Sequence, residues 1–485
     1  MLALLASATA FAATNSSRPN FVFVLTDDQD LRLDGFSDAY TEHGSLAAMP
    51  IVRQRLMGEG AQLTNFFVNT PICCPSRTEF FSGRYFHNVG PPSDTAGKCM
   101  HADTSFASSN TTGLFGTLTR HGYNTGVFGK VTNDQQHILD ALVAANSATY
   151  IDSPLDYNPF DGKPYFHFNG TTSWTETLPD DASAAPWGTL YQTAQIGNRT
   201  LRWLDGVLTA EAPFFAYLGP HAPHFPAQPA PWHADAFAGI SAPRTPNFNA
   251  SQASIDAKQW LIRQQSPLTA EVVRDIDSVH NQRLETLLSV DEYLKEIFTM
   301  VSNAAELDQT YFLYTSDHGF QLGQHRLPSD KRHLYEHDIR IPFFIAGPGV
   351  TAGSTVDAPV LSIDVAPTLV DLATGAVPDD MDGASFAPLL RAAPSSGGWR
   401  TDFLVSYYGM YGSCGLQKCP PPPASAFHEN DGKNNTYHCV RTLNSPHLGG
   451  ADEMYCEFDD DEHFLEFYEH GSDPWQLDNC AAKVP

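Results

Sequence analysis

The stretch Thr70-Pro71-Ile72-Cys73-Cys74-Pro75-Ser76-Arg77 puts an oxidisable sulfur, Cys73, close in sequence to a fixed cation, Arg77. The plainer reading of those residues is a disulfide cysteine pair in a loop. A second set has the chemistry of a cation site. Asp27 and Asp28 are adjacent, and Asp317 with His318 lies far along the chain. Three carboxylates and one further donor suit a hard divalent cation. An adjacent Asp pair is more often a solvated turn or a helix cap, so its setting in the chain has to decide.

That setting is a buried strand. Pro19-Asn20-Phe21-Val22-Phe23-Val24-Leu25-Thr26 is an apolar run too short for a helix, and Asp27-Asp28 follows it directly. Such a run fits a strand covered on both faces of a parallel sheet, and ligands of open α/β sheets bind at the C-terminal strand ends. The pattern recurs. Gly126-Val127-Phe128-Gly129 ends in Lys130, Phe214 to Pro220 runs into His221 and His224, and Thr310 to Ser316 runs into Asp317-His318-Gly319. Between the last two lies a helical pattern, Glu271 to Val301, with Leu284, Leu287, Leu288, Tyr293, Leu294 and Ile297 at helical spacing. A further amphipathic helix begins within Ser362-Ile363-Asp364-Val365. Strands alternating with helices predict an α/β sandwich around a mostly parallel sheet.

Pro394-Ser395-Ser396-Gly397-Gly398 reads as a linker, and beyond it the composition changes to prolines, cysteines and an acidic run. The expected division is a leader over 1–13, a catalytic domain over 18–394 and a small disulfide-braced α+β domain over 399–485. With 485 residues and 42% hydrophobic content, the chain is long enough for two packed domains. A net charge of −27 disfavours nucleic acid and anionic membranes as partners, so an anionic ligand needs a local positive pocket.

Met1 to Ala13 is apolar and ends in small residues, as a secretory signal peptide does, although a basic n-region is missing. No later run of apolar residues is long enough to span a bilayer. Eight cysteines suit an oxidising compartment. Cys74 with Cys99 and Cys414 with Cys419 are the expected pairs, although spacing does not fix connectivity. Sequons begin at Asn15, Asn110, Asn169, Asn198, Asn249 and Asn434, in keeping with a glycoprotein that is extracellular, periplasmic or cell-wall-associated, or lysosomal.

Taken in order, the opening Arg18-Pro19-Asn20 with its apolar run and Thr26-Asp27-Asp28-Gln29, the Cys73-x-Pro75-Ser76-Arg77 core, Gly129-Lys130, Asp317-His318-Gly319 and Leu334-Tyr335-Glu336 before Arg340-Ile341-Pro342 resemble the type I sulfatases. The doubled cysteine, Asp28-Gln29-Asp30 and Leu327-Pro328-Ser329-Asp330-Lys331-Arg332 look most like the branch of N-acetylglucosamine-6-sulfatases and microbial and algal arylsulfatases. The resemblance implies an alkaline-phosphatase-like α/β sandwich and hydrolysis of a small-molecule or carbohydrate sulfate ester. It implies a Cα-formylglycine (3-oxoalanine) made from Cys73 by a formylglycine-generating enzyme, and calcium, or alternatively magnesium, on Asp27, Asp28, Asp317, His318 and modified Cys73. Many relatives carry Asn where His318 stands.

By the same resemblance, Arg77 sits beside the nucleophile, Lys130 and Lys331 bind the sulfate, and His224 protonates the leaving oxygen, with His221 the competing alignment. A gem-diol formed by hydrating the aldehyde would attack sulfur, and its second hydroxyl would later expel sulfate. One departure stands out: the family's Gly-Lys-x-His becomes Gly129-Lys130-Val131-Thr132. The chain also stops soon after Asp473-Pro474-Trp475, where many relatives continue into a final helix. Two rival readings stay open at this point. One is a phosphonate or phosphate ester hydrolase of the same superfamily, and the other is a silent secreted glycoprotein with Cys73 unmodified.

Overall fold

The computed structural model describes residues 18–31, 48–89, 113–156, 164–177, 191–391, 398–409 and 435–483. The leader, Cys99, Cys414, Cys419, and the sequons at Asn15, Asn110 and Asn434 lie outside the described residues, as does nearly all of the linker.

Among the described residues, twelve strands precede the linker. They are β1 (Asn20–Thr26), β2 (Ala61–Leu63), β3 (Phe66–Phe67), β4 (Asn124–Gly129), β5 (Tyr150–Pro154), β6 (Pro164–Phe168), β7 (Ser173–Thr177), β8 (Phe214–Gly219), β9 (Thr310–Ser316), β10 (Phe343–Ala346), β11 (Ser354–Val356) and β12 (Val360–Leu361). Ten of them form one sheet in the order β11-β2-β10-β9-β1-β8-β4-β5-β6-β7, and β3 pairs with β12 apart from it. The central five, β9-β1-β8-β4-β5, are all parallel. Antiparallel strands flank them, with β10 between β9 and β2 on one side and β6 between β5 and β7 on the other.

Both faces are covered, which is why β1 is apolar at consecutive positions rather than alternating. Phe21, Phe23 and Leu25 join a core with helix α1 (Cys73–Ser82) and helix α4 (Val365–Thr374), through residues such as Phe80, Phe81, Val365 and Leu369. Val22 and Val24 face the opposite core, built with α2 (Gln192–Val207) and α3 (Ala270–Asn303) through Ile196, Leu204, Leu287, Val290 and Leu294. Thr269 caps α3, its side chain accepting a hydrogen bond from the Val272 N–H.

A separate antiparallel sheet follows: β13 (Asp402–Tyr407), β14 (Tyr437–Ser445), β15 (Ala451–Phe458) and β16 (Leu465–Glu469), in sequential order. Cys439 and Cys456 face each other across β14 and β15 and form a disulfide, a pairing that cysteine spacing did not single out. Cys74 is also disulfide-bonded. The small sheet packs onto the large domain through Phe67 and Phe403, whose ring centroids are 4.8 Å apart. An Arg441–Glu336 ion pair at 3.0 Å adds a polar tie. Among the described residues, no helix is long and apolar enough to cross a membrane.

Candidate active site

Parallel strands bring the polar strand ends to one edge of the sheet. Asp27 and Asp28 follow β1, Lys130 follows β4, His221 and His224 follow β8, and Asp317 and His318 follow β9. Backbone hydrogen bonds stitch these ends together: the Asp317 N–H donates to the Thr26 carbonyl at 3.1 Å, and the Lys130 N–H to the Gly219 carbonyl at 2.7 Å. The second approach is so close that a Cβ on Gly129 would lie 2.2 Å from the Gly219 oxygen, and Gly129 also has φ +92°. Only glycine fits there.

Cys73 opens α1, whose N-terminus points positive backbone charge at the strand ends. Its Sγ lies 3.7 Å from Asp27 Oδ1 and 3.3 Å from His318 Nε2. Arg77, one turn on and wholly buried, donates through Nε to Asp317 Oδ2 at 2.8 Å, through Nη1 to the Lys130 carbonyl at 2.9 Å, and through Nη2 to the Thr26 carbonyl at 3.1 Å. Lys130 Nζ reaches Asp27 Oδ2 at 2.6 Å, and Lys331 Nζ reaches both Asp28 oxygens at 2.6 and 2.8 Å. His224 Nε2 is 3.6 Å from Asp28 Oδ2.

Two overlapping sets of ligand atoms lie within 4.8 Å of one another: Asp27, Cys73, Asp317 and His318, and Asp27, Asp28, Cys73 and His224. The donor chemistry fits a divalent cation. His318 Nδ1 sits 2.9 Å from the Gly319 carbonyl, and donating there would leave Nε2 as the lone-pair donor toward the cluster. Asp317 Oδ1 accepts the N–H groups of Asp28 and His318, both at 3.0 Å, which fixes the carboxylate plane.

Electrostatics follow from the packing of opposite charges without water. Burial alone would raise Asp27 and Asp28, but Lys130 foremost holds Asp27 well below its ordinary value, and His224 and Lys331 hold Asp28 at about 2. Asp317, raised by burial and by Asp27, sits at about 6. Burial opposes a charge on His318, yet Asp317 and Cys73 outweigh it and lift the imidazole to about 9, the mark of a pocket that attracts cations. Burial would likewise raise the Cys73 thiol, but Lys130 and Lys331 draw it well below its usual value. The two nearby histidines part ways. Burial and then Lys130 keep His221 well below the usual imidazole value, while Asp28 outweighs burial and raises His224.

The Sulfatase family profile matches residues 19–376. The chain belongs to the sulfatase family. The N-acetylglucosamine-6-sulfatase of Capra hircus is 35% identical over 490 residues, covering 98% of this chain and 82% of that protein. The solved structure of BT4656 in complex with its substrate D-glucosamine-2-N,6-O-disulfate superposes with a TM-score of 0.70 at 22% identity, covering 96% of this chain and 94% of that one. The phosphonate monoester hydrolase of Agrobacterium radiobacter has a TM-score of 0.66 at 20% identity, covering 96% and 92%. This sulfatase is therefore a sulfuric ester hydrolase on an alkaline-phosphatase-like fold.

The residues singled out in the sequence come together at the same sheet edge, linked by the contacts above. His221 follows β8 beside them, and its Nδ1 pairs with the Gln192 side chain. Two residues of the sulfatase's site were not singled out. Arg283 in α3 donates to Asp30 and to the Asp28 carbonyl, and Glu79 in α1 ties the loop before Cys73 to the helix. Arg283 did carry a signal, because it interrupts the stripe Ile276, Val279, Leu287, Val290, Leu294 with a charge.

Proposed function

We propose that this sulfatase removes the 6-sulfate of an N-acetylglucosamine-type sugar, with aryl sulfates as alternative substrates, using Cys73 matured to formylglycine. The observation that carries this reading is the placement of Cys73 at the first turn of α1, between Asp27 and His318, inside a ring of buried cations. A divalent ion, calcium or alternatively magnesium, would be held by Asp27, Asp28, Asp317, His318 and modified Cys73, and would supply Lewis acidity toward a sulfuryl oxygen and the hydrated aldehyde.

The chain's own groups do the rest. One hydroxyl of the hydrated residue 73 gives its proton to solvent and attacks sulfur, while the S–O bond to the sugar breaks. His224, raised by Asp28 and 24% exposed at the side chain, hands a proton to the departing oxygen. His221 is held neutral by its surroundings and is the weaker choice. Lys130 and Lys331 face the developing charge on the sulfuryl oxygens, and Arg77 locks the helix that carries the nucleophile. The second hydroxyl of residue 73 then loses its proton, the aldehyde reforms, and the bond to sulfate breaks. Thr132 stands where many relatives have histidine.

The ten-stranded and four-stranded sheets support the division into a catalytic domain over 18–394 and a smaller domain over 399–485. The buried disulfide and the exposed sequon residue Asn169 support passage through the secretory pathway, and with it an encounter with the maturing enzyme. Initial rates on N-acetylglucosamine 6-sulfate, 4-nitrophenyl sulfate and a phenylphosphonate monoester, under one set of conditions, test the assignment. The reading expects both sulfates to be cleaved, with the sugar ester preferred in kcat/KM. Preference for the phosphonate would replace it with the other hydrolase.

A further inference from the structure

Asp28 has the least ordinary backbone of the site's carboxylates. Its φ is 68°, the left-handed region that side-chain-bearing residues seldom hold unless their surroundings impose it. Two contacts impose it here. The Asp28 N–H donates to Asp317 Oδ1 at 3.0 Å, and the Asp28 carbonyl accepts from Nη2 of Arg283, a residue 255 positions away. The same guanidinium donates through Nη1 to Asp30 Oδ2 at 2.9 Å. One planar fork therefore spans the turn from Asp28 to Asp30.

Arg283 is 1% exposed and stands on the buried stripe of α3, among Ile276, Val279, Leu287 and Val290. A charge in that position is costly unless it is paired and hydrogen-bonded. Its guanidinium also lies 4.6 Å from the ring centroid of Phe320, and Lys331 Nζ lies 5.9 Å from that ring. Lys331 is the lysine that holds both Asp28 oxygens. Arg283 thus supports Asp28 from the backbone side and shares a platform with its side-chain partner.

We propose that Arg283 is a positioning residue, which fixes the strained Asp28 backbone so that the carboxylate faces the cation site and Lys331. This rests on the reading of Asp28 as a cation ligand. A purely structural Arg283–Asp30 pair would affect folding alone, whereas a positioning role also affects the cation and the rate. A partner of this kind typically changes metal affinity or activity by about 10- to 100-fold.

The test compares wild type, Arg283→Lys, Arg283→Met and Asp28→Asn as full-length, metal-stripped protein. Calcium affinity is read by titration calorimetry, kcat and KM on an aryl sulfate by initial rates after calcium is restored to saturation, and folding by near-ultraviolet dichroism and Tm. Arg283→Lys keeps a cation opposite Asp30 and so keeps the fold, but a single ammonium cannot bridge both acceptors. The expected result is a wild-type dichroism spectrum with calcium affinity and kcat each lowered about 10-fold or more, and KM little changed. Arg283→Met is expected to lose at least as much. Wild-type calcium affinity and kcat in Arg283→Lys, or losses no larger than the drop in folded fraction, would overturn the proposal. If Asp28→Asn also binds calcium like wild type, the cation reading of Asp28 falls with it; if Asp28→Asn alone loses affinity, only the role of Arg283 falls.

Discussion

Arg77 Nε lies 2.8 Å from Asp317 Oδ2, joining residues 240 positions apart where neither side chain is exposed. The pair couples the helix that carries Cys73 to the strand end that carries Asp317 and His318. Its remaining nitrogens are committed to the Lys130 and Thr26 carbonyls and, at 3.0 Å, to the Tyr217 hydroxyl. Breaking one side of a buried pair leaves an uncompensated charge, which costs about 3–5 kcal/mol. Arg77→Met should lose stability of that order in urea unfolding, and Arg77→Lys should not rescue it, because an ammonium cannot reach four acceptors in one plane.

His224 should matter in proportion to how badly the leaving group needs a proton. His224→Gln is expected to lower kcat on N-acetylglucosamine 6-sulfate by about 10²- to 10⁴-fold. On 4-nitrophenyl sulfate, whose phenolate leaves unaided, the loss should be less than about tenfold. The protonated imidazole is the working form, and Asp28 raises its value, so wild-type activity should fall on the alkaline side and that limb should vanish in the variant. Rate profiles across pH with both substrates check this. His221→Gln should leave the limb in place.

Glu79 gives the fold a pH dependence of its own. Its carboxyl accepts from the Thr70 N–H at 3.2 Å, the Thr70 hydroxyl at 2.9 Å and the Phe86 N–H at 3.1 Å, yet burial outweighs these bonds and lifts it from 4.5 to about 8. The folded value lies above the unfolded one. Its contribution is therefore fully present below 4.5 and is lost as pH rises through about 8. Wild-type Tm should fall across that window relative to Glu79→Gln, whose neutral amide removes this component of the slope. Parallel Tm-against-pH curves for the two proteins would contradict it.

Chelation should separate cation binding from folding. Removing divalent ions with EDTA is expected to abolish turnover, and calcium should restore it better than magnesium. A site saturated at 100 times its Kd should add about 2.7 kcal/mol of stability, seen as a higher Tm on adding calcium. No change in Tm or rate on chelation would contradict the cation reading.

Much of this site was legible because buried parallel strands leave a simple trace, an apolar run that stops at a polar residue. Asp27, Lys130 and Asp317 could be placed that way, and β9 spans the same Thr310–Ser316 run that the sequence marks. Lys331 could not, since it sits in an irregular loop between Asp330 and Arg332, which both have positive φ, and only family resemblance pointed to it. Glu79 lies on a helix whose burial depends on packing against distant elements, so local pattern gave it no role; the charge of Arg283 within an apolar stripe was a signal, but its partners Asp30 and Asp28 lie 253 and 255 positions away. The Cys439–Cys456 bridge depends on the register of β14 against β15, which cysteine spacing does not encode.

The central claim is that residue 73 is the nucleophile after oxidation. Mass spectrometry of the tryptic peptide containing Cys73, from protein made through its secretory route, tests it most directly when paired with aryl sulfatase activity of Cys73→Ala. The account predicts a formylglycine mass in the wild-type peptide and no turnover in the variant. An intact Cys73 thiol in active protein, or undiminished activity in Cys73→Ala, would contradict it.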